Sequence, residues 1–221
     1  MNLKKVLIFL LISSNLMAIS IRSIEFKKSG ENYLYEVDVP NIKSDDIKYQ
    51  NSFNKEIENL KNKTIQDVLK ITKENEEFNI QSQLVMKYED YKSEIGITSI
   101  ILETYEYTGG AHGMTNLKVF NLNSKSGEDI KIEKIMKLEG LKYLQEQIQK
   151  EIQENLIGPL EERIYFPDAK VDIRNANIYF DGEFVVIIFN LYDIAPYSSG
   201  MPTFKYSLES VKQYLIAIEN S

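Results

Sequence analysis

Large and polar side chains alternate along Tyr33-Leu34-Tyr35-Glu36-Val37-Asp38-Val39-Pro40, which predicts a strand with one face on a core, ended by Pro40. The period then lengthens. Phe53, Ile57, Leu60, Val68 and Ile71 fall three, four or a multiple apart with Lys and Glu between them, so a long amphipathic helix is predicted over roughly 47–74. Asp45 and Asp46 give it an acidic start that suits the positive end of its dipole. Two strand-like runs follow, Leu84 to Tyr88 and Ile95 to Tyr107. The second is long for a strand, so a bulge or twist near Gly96 or Ser99 is expected.

After the stretch Tyr107-Thr108-Gly109-Gly110-Ala111-His112-Gly113-Met114-Thr115-Asn116 comes the run Leu117 to Leu122. Asn123 to Gly127 reads as a tight turn leading into Ile130-Lys131-Ile132. Leu141, Leu144, Ile148, Ile152 and Leu156 mark a second amphipathic helix, stopped by Gly158, which permits a left-handed cap, and Pro159. Phe184 to Phe189 is apolar without alternation, the mark of a strand covered on both faces and central in its sheet. Ser207 is a predicted N-cap for a last helical face of Leu208, Val211, Leu215 and Ile218.

Strands and helices interleave irregularly, with hairpin-like pairs and no βα period. The fold class predicted is α+β, a mainly antiparallel sheet with packed amphipathic helices. A division near residue 90 separates a small strand–helix first part, 19–90, from a larger α+β domain, 91–221. The two are expected to pack together.

The N-terminus changes the picture of where this domain works. Lys4 and Lys5 precede an unbroken apolar run, Val6 to Ile12, and then Ser13 to Ala18 turns polar and small. Residues 1–18 read as a secretory signal peptide cleaved after Ala18, which places the mature chain in the periplasm or outside the cell, the alternative being an uncleaved membrane anchor. No later segment is long and apolar enough to span a bilayer. With no cysteine the chain lacks the thiol for lipid anchoring of that signal, and it has no disulfide or thiolate metal site. Loss of Lys4 and Lys5 with the signal takes the formal charge from −7 to −9. Such a surface repels nucleic acid and favours a basic partner. The remaining composition, 43% hydrophobic and 27% charged over 221 residues, is ample for one sizeable core.

His112 is the chain's single histidine, and it sits among Gly109, Gly110 and Gly113. As a catalytic base it would need a nucleophile and an orienting carboxylate, and no serine lies in a G-x-S-x-G setting. The glycines match neither a phosphate loop nor a dinucleotide fingerprint. One imidazole is far below a zinc ligand set, and no metal or cofactor is expected. Three readings stand for the stretch: a catalytic His112, glycines that re-aim the chain while a partly buried His112 ties down loop backbone, or a contact loop flanked by Tyr105 and Tyr107.

Tyr107-Thr108-Gly109-Gly110-Ala111-His112-Gly113, then Phe120-Asn121-Leu122 and the turn at Gly127, resemble the signature of a bacterial extracytoplasmic domain of unknown function. That domain forms the outer part of RsiV-like anti-sigma factors and precedes the catalytic domain in PdaC-like peptidoglycan deacetylases. Phe189-Asn190-Leu191-Tyr192-Asp193-Ile194-Ala195-Pro196-Tyr197-Ser198-Ser199-Gly200 resembles its second block, and the first part is similar to its smaller companion domain. RsiV-like ectodomains bind lysozyme, and PdaC-like proteins deacetylate peptidoglycan with a separate metal-dependent domain whose histidines are absent here. The resemblance therefore implies a non-catalytic envelope-binding module for lysozyme or a cell-wall glycan. Its expected contacts are Tyr105, Tyr107, Gly109, Gly110, His112, Gly113, Tyr192, Pro196, Tyr197 and Gly200. The alternatives are an envelope-acting hydrolase or esterase using His112, and a purely structural envelope protein.

Overall fold

The computed structural model describes residues 18–75, 77 and 80–218, so the leader assigned to 1–18 lies, Ala18 apart, outside the described residues. Strands β1 (Ser20–Ser29), β2 (Tyr33–Lys43), β3 (Ser82–Lys92), β4 (Ile97–Tyr107) and β5 (Met114–Asn123) form one sheet in that spatial order. β2 and β3 pair in parallel through the crossover helix α1 (Ile47–Glu74), and the other neighbours are antiparallel. The alternation of β2 buries Tyr35, Val37 and Val39 under α1, which contributes Phe53, Ile57 and Val68. Phe53 meets Phe120 of β5 edge to face at 5.2 Å. Asp46 starts the helix by accepting from the Lys48 and Tyr49 amides, bonds to otherwise orphaned donors.

β2 does not end at Pro40 but runs on to Lys43. The β2–β3 ladder stops at Val37 opposite Met86, so beyond it β2 has a strand neighbour on one side only. A missing N–H there takes no bond from β3. Nor does the long β4 contain a bulge. Its register against β3 is unbroken from Gln83 opposite Tyr107 to Lys92 opposite Thr98, and Gly96 (φ +78°) turns the hairpin instead.

The second half packs on a separate cluster. Helix α3 (Leu138–Ile157), preceded by the single turn α2 (Ile132–Ile135), lays Leu141, Leu144, Ile148 and Ile152 against Phe180, Val185, Ile187 and Phe189. Phe180, Val185 and Ile187 belong to a three-stranded antiparallel sheet, β6 (Asn177–Asp181), β7 (Phe184–Ile188) and β8 (Thr203–Ser207), with β7 in the middle as its unbroken apolar run predicts, and Phe189 follows directly on β7. Gly158 ends α3 in extended geometry (φ −68°, ψ −177°), not left-handed, because the following Pro159 crowds the helical region of its neighbour. The last helix is shorter than its apolar spacing suggests: α4 covers Leu208–Val211, capped by the Ser207 hydroxyl, and a 3₁₀ turn follows at Lys212–Tyr214. Leu215 then bridges Met136, and the Ile216 amide reaches the Ile135 carbonyl at 2.9 Å. Backbone pairing with another segment wins there over helical propensity.

β4 and β5 join the two halves. Ile100 and Leu102 of β4 face the first core, and Ile97 the second. Ser99, fully buried, donates to Asn121 Oδ1 at 2.7 Å and accepts the Phe180 amide at 2.9 Å. Asn121 in turn donates to the Ile178 carbonyl at 2.9 Å. The edge strand β6 is thus seated on the outer face of the first sheet, and its otherwise orphaned backbone groups are satisfied by two side chains.

Candidate functional site

That junction fixes two loops against each other. The first is the β4–β5 hairpin tip. Gly109 (φ +115°) and Gly110 (φ +98°) take conformations that a Cβ resists, and the Asn75 side chain at the end of α1 donates to the Thr108 carbonyl at 2.9 Å. The Tyr107 hydroxyl closes the tip on the Gly110 carbonyl at 3.2 Å. Gly113 has a different role: a Cβ there would lie 2.4 Å from the Tyr105 ring, so the glycine lets that ring lie flat on the backbone.

The second loop joins β7 to β8. Asn190 and Asp193 close a turn, through the Asp193 carboxylate accepting the Asn190 amide (2.9 Å) and the Asp193 amide reaching the Asn190 carbonyl (3.2 Å). Buried Ile194 anchors the loop in the second core, and Ala195 beside it is buried too. Pro196 leads into a 3₁₀ turn, Tyr197–Ser199, and Gly200 (φ +70°) redirects the chain into β8. Inside the Asn190–Asp193 turn sits Tyr192 at φ +70°, the one non-glycine residue with positive φ among the described residues. A bulky side chain held there costs on the order of 1–2 kcal/mol.

The two loops meet at His112. Its Nδ1 lies 2.9 Å from the Gly113 carbonyl, which can only accept, so Nδ1 donates there. Nε2 faces the Tyr192 hydroxyl at 3.1 Å. The imidazole stacks on Tyr197 with ring centroids 3.9 Å apart and planes at 23°. Tyr192 and Tyr197 lie 5.9 Å apart. Of the expected contacts, His112, Tyr192 and Tyr197 are therefore brought into one aromatic platform. Pro196, Gly109, Gly110 and Gly200 shape its two loops, and Tyr105 and Tyr107 brace the hairpin beneath it. The imidazole does tie down backbone, yet it is exposed rather than partly buried, and Tyr192 keeps 46% of its surface open.

The sequence reading passed over Asn190 and Asp193 as site-forming residues, although an Asn and an Asp three apart are a recognisable turn pair. Nothing in the sequence marks Tyr192 as left-handed, where glycine or asparagine is the ordinary occupant. Among the described residues no cluster of three or more His, Asp or Glu is placed to hold a metal ion, and no helix is long and apolar enough to cross a membrane.

Glu106, next to Tyr107, is half-buried, and that burial lifts its carboxyl above the ordinary glutamate value, Asp67 adding to the rise and Lys63 opposing it. The folded chain then holds this proton more tightly than the unfolded chain, so stability from this group is lost as pH rises through the folded value. Glu106→Gln is expected to raise Tm at pH 7 and to lose that advantage below about pH 4, the ordinary carboxylate range. Thermal unfolding at the two pH values measures it, and an equal Tm at pH 7 would contradict it.

Compared with known proteins, residues 26–115 match the family described as deacetylase PdaC, and residues 133–208 the family described as a protein of unknown function, DUF3298. That succession is the pattern of a cell-envelope-associated module. A crystal structure of a DUF3298 family member from Bacteroides fragilis superposes with a TM-score of 0.66 at 18% identity, over 90% of this chain and 94% of that one. A DUF3298 family protein from Pseudomonas aeruginosa gives 0.52 at 15% identity, over 89% and 93%. At those identities the likeness is one of fold. No curated protein matches the chain.

Proposed function

We propose that the chain is an exported, non-catalytic binding module of the cell envelope, working in the periplasm or outside the cell. Its contact surface is the His112–Tyr192–Tyr197 platform, and its ligand is a peptidoglycan component or a basic protein such as lysozyme. The observation that carries this reading is the exposed aromatic cluster assembled from loops 80 residues apart, with Tyr192 kept in a strained conformation to complete it. Strain is retained where surrounding structure holds it for a use. Tyrosine and histidine rings offer rigid contact area with polar tips at little entropy cost. The formal charge of −7 supports a basic partner through long-range attraction. The ring partners of His112, a carbonyl and a phenol, include no orienting carboxylate, which supports binding over nucleophilic catalysis.

Binding of the protein to lysozyme and to purified peptidoglycan across a salt series tests the reading. Saturable binding to one of them is expected, and a lysozyme complex should weaken with salt as exposed charges are screened. Absence of saturable binding to both at every salt concentration overturns the proposal. Turnover of esters or glycan fragments that His112→Ala abolishes, with the fold intact, overturns its non-catalytic part.

A further inference from the structure

We infer that the binding surface continues beyond the aromatic platform into the corner between the two sheets, and that it takes an extended, uncharged polysaccharide chain. The inference rests on the reading above and deepens it. Because the β6 edge is seated on the outer face of the first sheet, the second sheet rises from that face as a wall. The corner holds a cavity of about 140 Å³, with Ile101 and Leu117 of the first sheet on one side and Ile188 and Tyr179 of the second on the other. Tyr91 and Tyr179, rings 5.2 Å apart, form an aromatic pair there.

The cavity and the platform share one face of the sheet. Leu117 lies opposite Glu103, and the next pair on the same side is Thr115 opposite Tyr105, whose ring rests on Gly113 beside His112. From the wall, Ile188 is followed within the same connection by Tyr192. A ligand spanning both ends thus meets aromatic rings at each and aliphatic side chains between, surfaces suited to the apolar faces of linked sugar rings.

Charge and backbone decide the ligand's class. Only one rim cation is matched: Lys87 pairs with Glu103 at 3.1 Å, while the Glu89 carboxylate accepts the Tyr91 hydroxyl, a bond that leaves its negative charge in place. A polyanion meets this residual negative charge and a polycation competes with Lys87 for Glu103, whereas a neutral chain keeps the ion pair and offers hydroxyl groups to the carboxylates' spare lone pairs. Along its length β4 has β3 on one side and β5 on the other. It presents no free backbone edge of the kind that extended peptides add to.

Titration calorimetry of the whole chain with N-acetylglucosamine oligomers of two, four and six units tests this, using the native protein, Tyr179→Ala, Tyr91→Ala and Tyr192→Gly. Affinity is expected to rise with length. Tyr179→Ala and Tyr91→Ala should each remove about tenfold from the longest oligomer and leave the shortest unchanged, while Tyr192→Gly weakens all three. Equal affinity at every length, or long-oligomer affinity untouched by both cavity variants, overturns the corner and leaves the platform standing. Lysozyme binding that depends on Tyr192, with no saccharide binding or with displacement only by an unstructured peptide, overturns the polysaccharide. If neither oligomers nor lysozyme bind, the platform falls as well.

Discussion

Tyr192→Gly is expected to leave the fold at least as stable as the native chain, with a gain of up to about 1 kcal/mol, while weakening ligand binding by at least about tenfold. The two effects have separate causes. At φ +70° a tyrosine Cβ crowds its own backbone, and glycine removes that crowding. The contacts given up are on the surface: the hydroxyl bond to His112 Nε2, and ring contacts with Tyr197 at 5.9 Å and with His112 at 6.4 Å. Water replaces an exposed hydrogen bond at small net cost, so the stability balance favours glycine. Binding has no such replacement, because the platform loses an exposed ring. Thermal unfolding and titration of the same preparation measure both sides. A variant that is destabilised by more than about 1 kcal/mol would show that Tyr192 serves the fold.

The second large effect is expected at the junction. Asn121→Ala removes the acceptor of the Ser99 hydroxyl and the donor to the Ile178 carbonyl, both in buried surroundings. Unpaired buried polar groups cost roughly 1–3 kcal/mol each, so a loss of about 3 kcal/mol is expected. For a chain of this length that is roughly 6–12 °C in Tm. Binding should fall too, although Asn121 is not part of the platform, since the bonds it makes hold the two loops in register. A Tm within about 2 °C of native would mean that the Asn121 bonds add little to the hold of the second sheet on the first.

Much of this architecture was legible in the residues. The helix bounds at 47–74, the central position of Phe184–Ile188 and the Ser207 cap all follow from spacing and capping chemistry. The misreadings have a common physical source. Pro40, Gly158 and Leu215 were read from local propensity, and in each case a neighbour decided the outcome: a missing partner strand, a following proline, a bridge to Met136. The site shows the same limit. Glycines at 109 and 110 announce a bend, but Gly113 is small because Tyr105 lies on it, and sequence does not show which ring covers a glycine. The meeting of His112 with Tyr192 and Tyr197 depends on how Ser99 and Asn121 set one sheet on the other, a long-range fact that no local period encodes.

The central claim is that the hairpin tip and the β7–β8 loop act as one contact surface. Amide hydrogen exchange of the protein, free and saturated with peptidoglycan fragments or lysozyme, tests it most directly. Slowed exchange is expected in 108–116 and 190–200 together, and in both segments it should disappear with Tyr192→Gly. Protection confined to one of the two loops, or falling instead along the exposed β1 edge, would contradict the account.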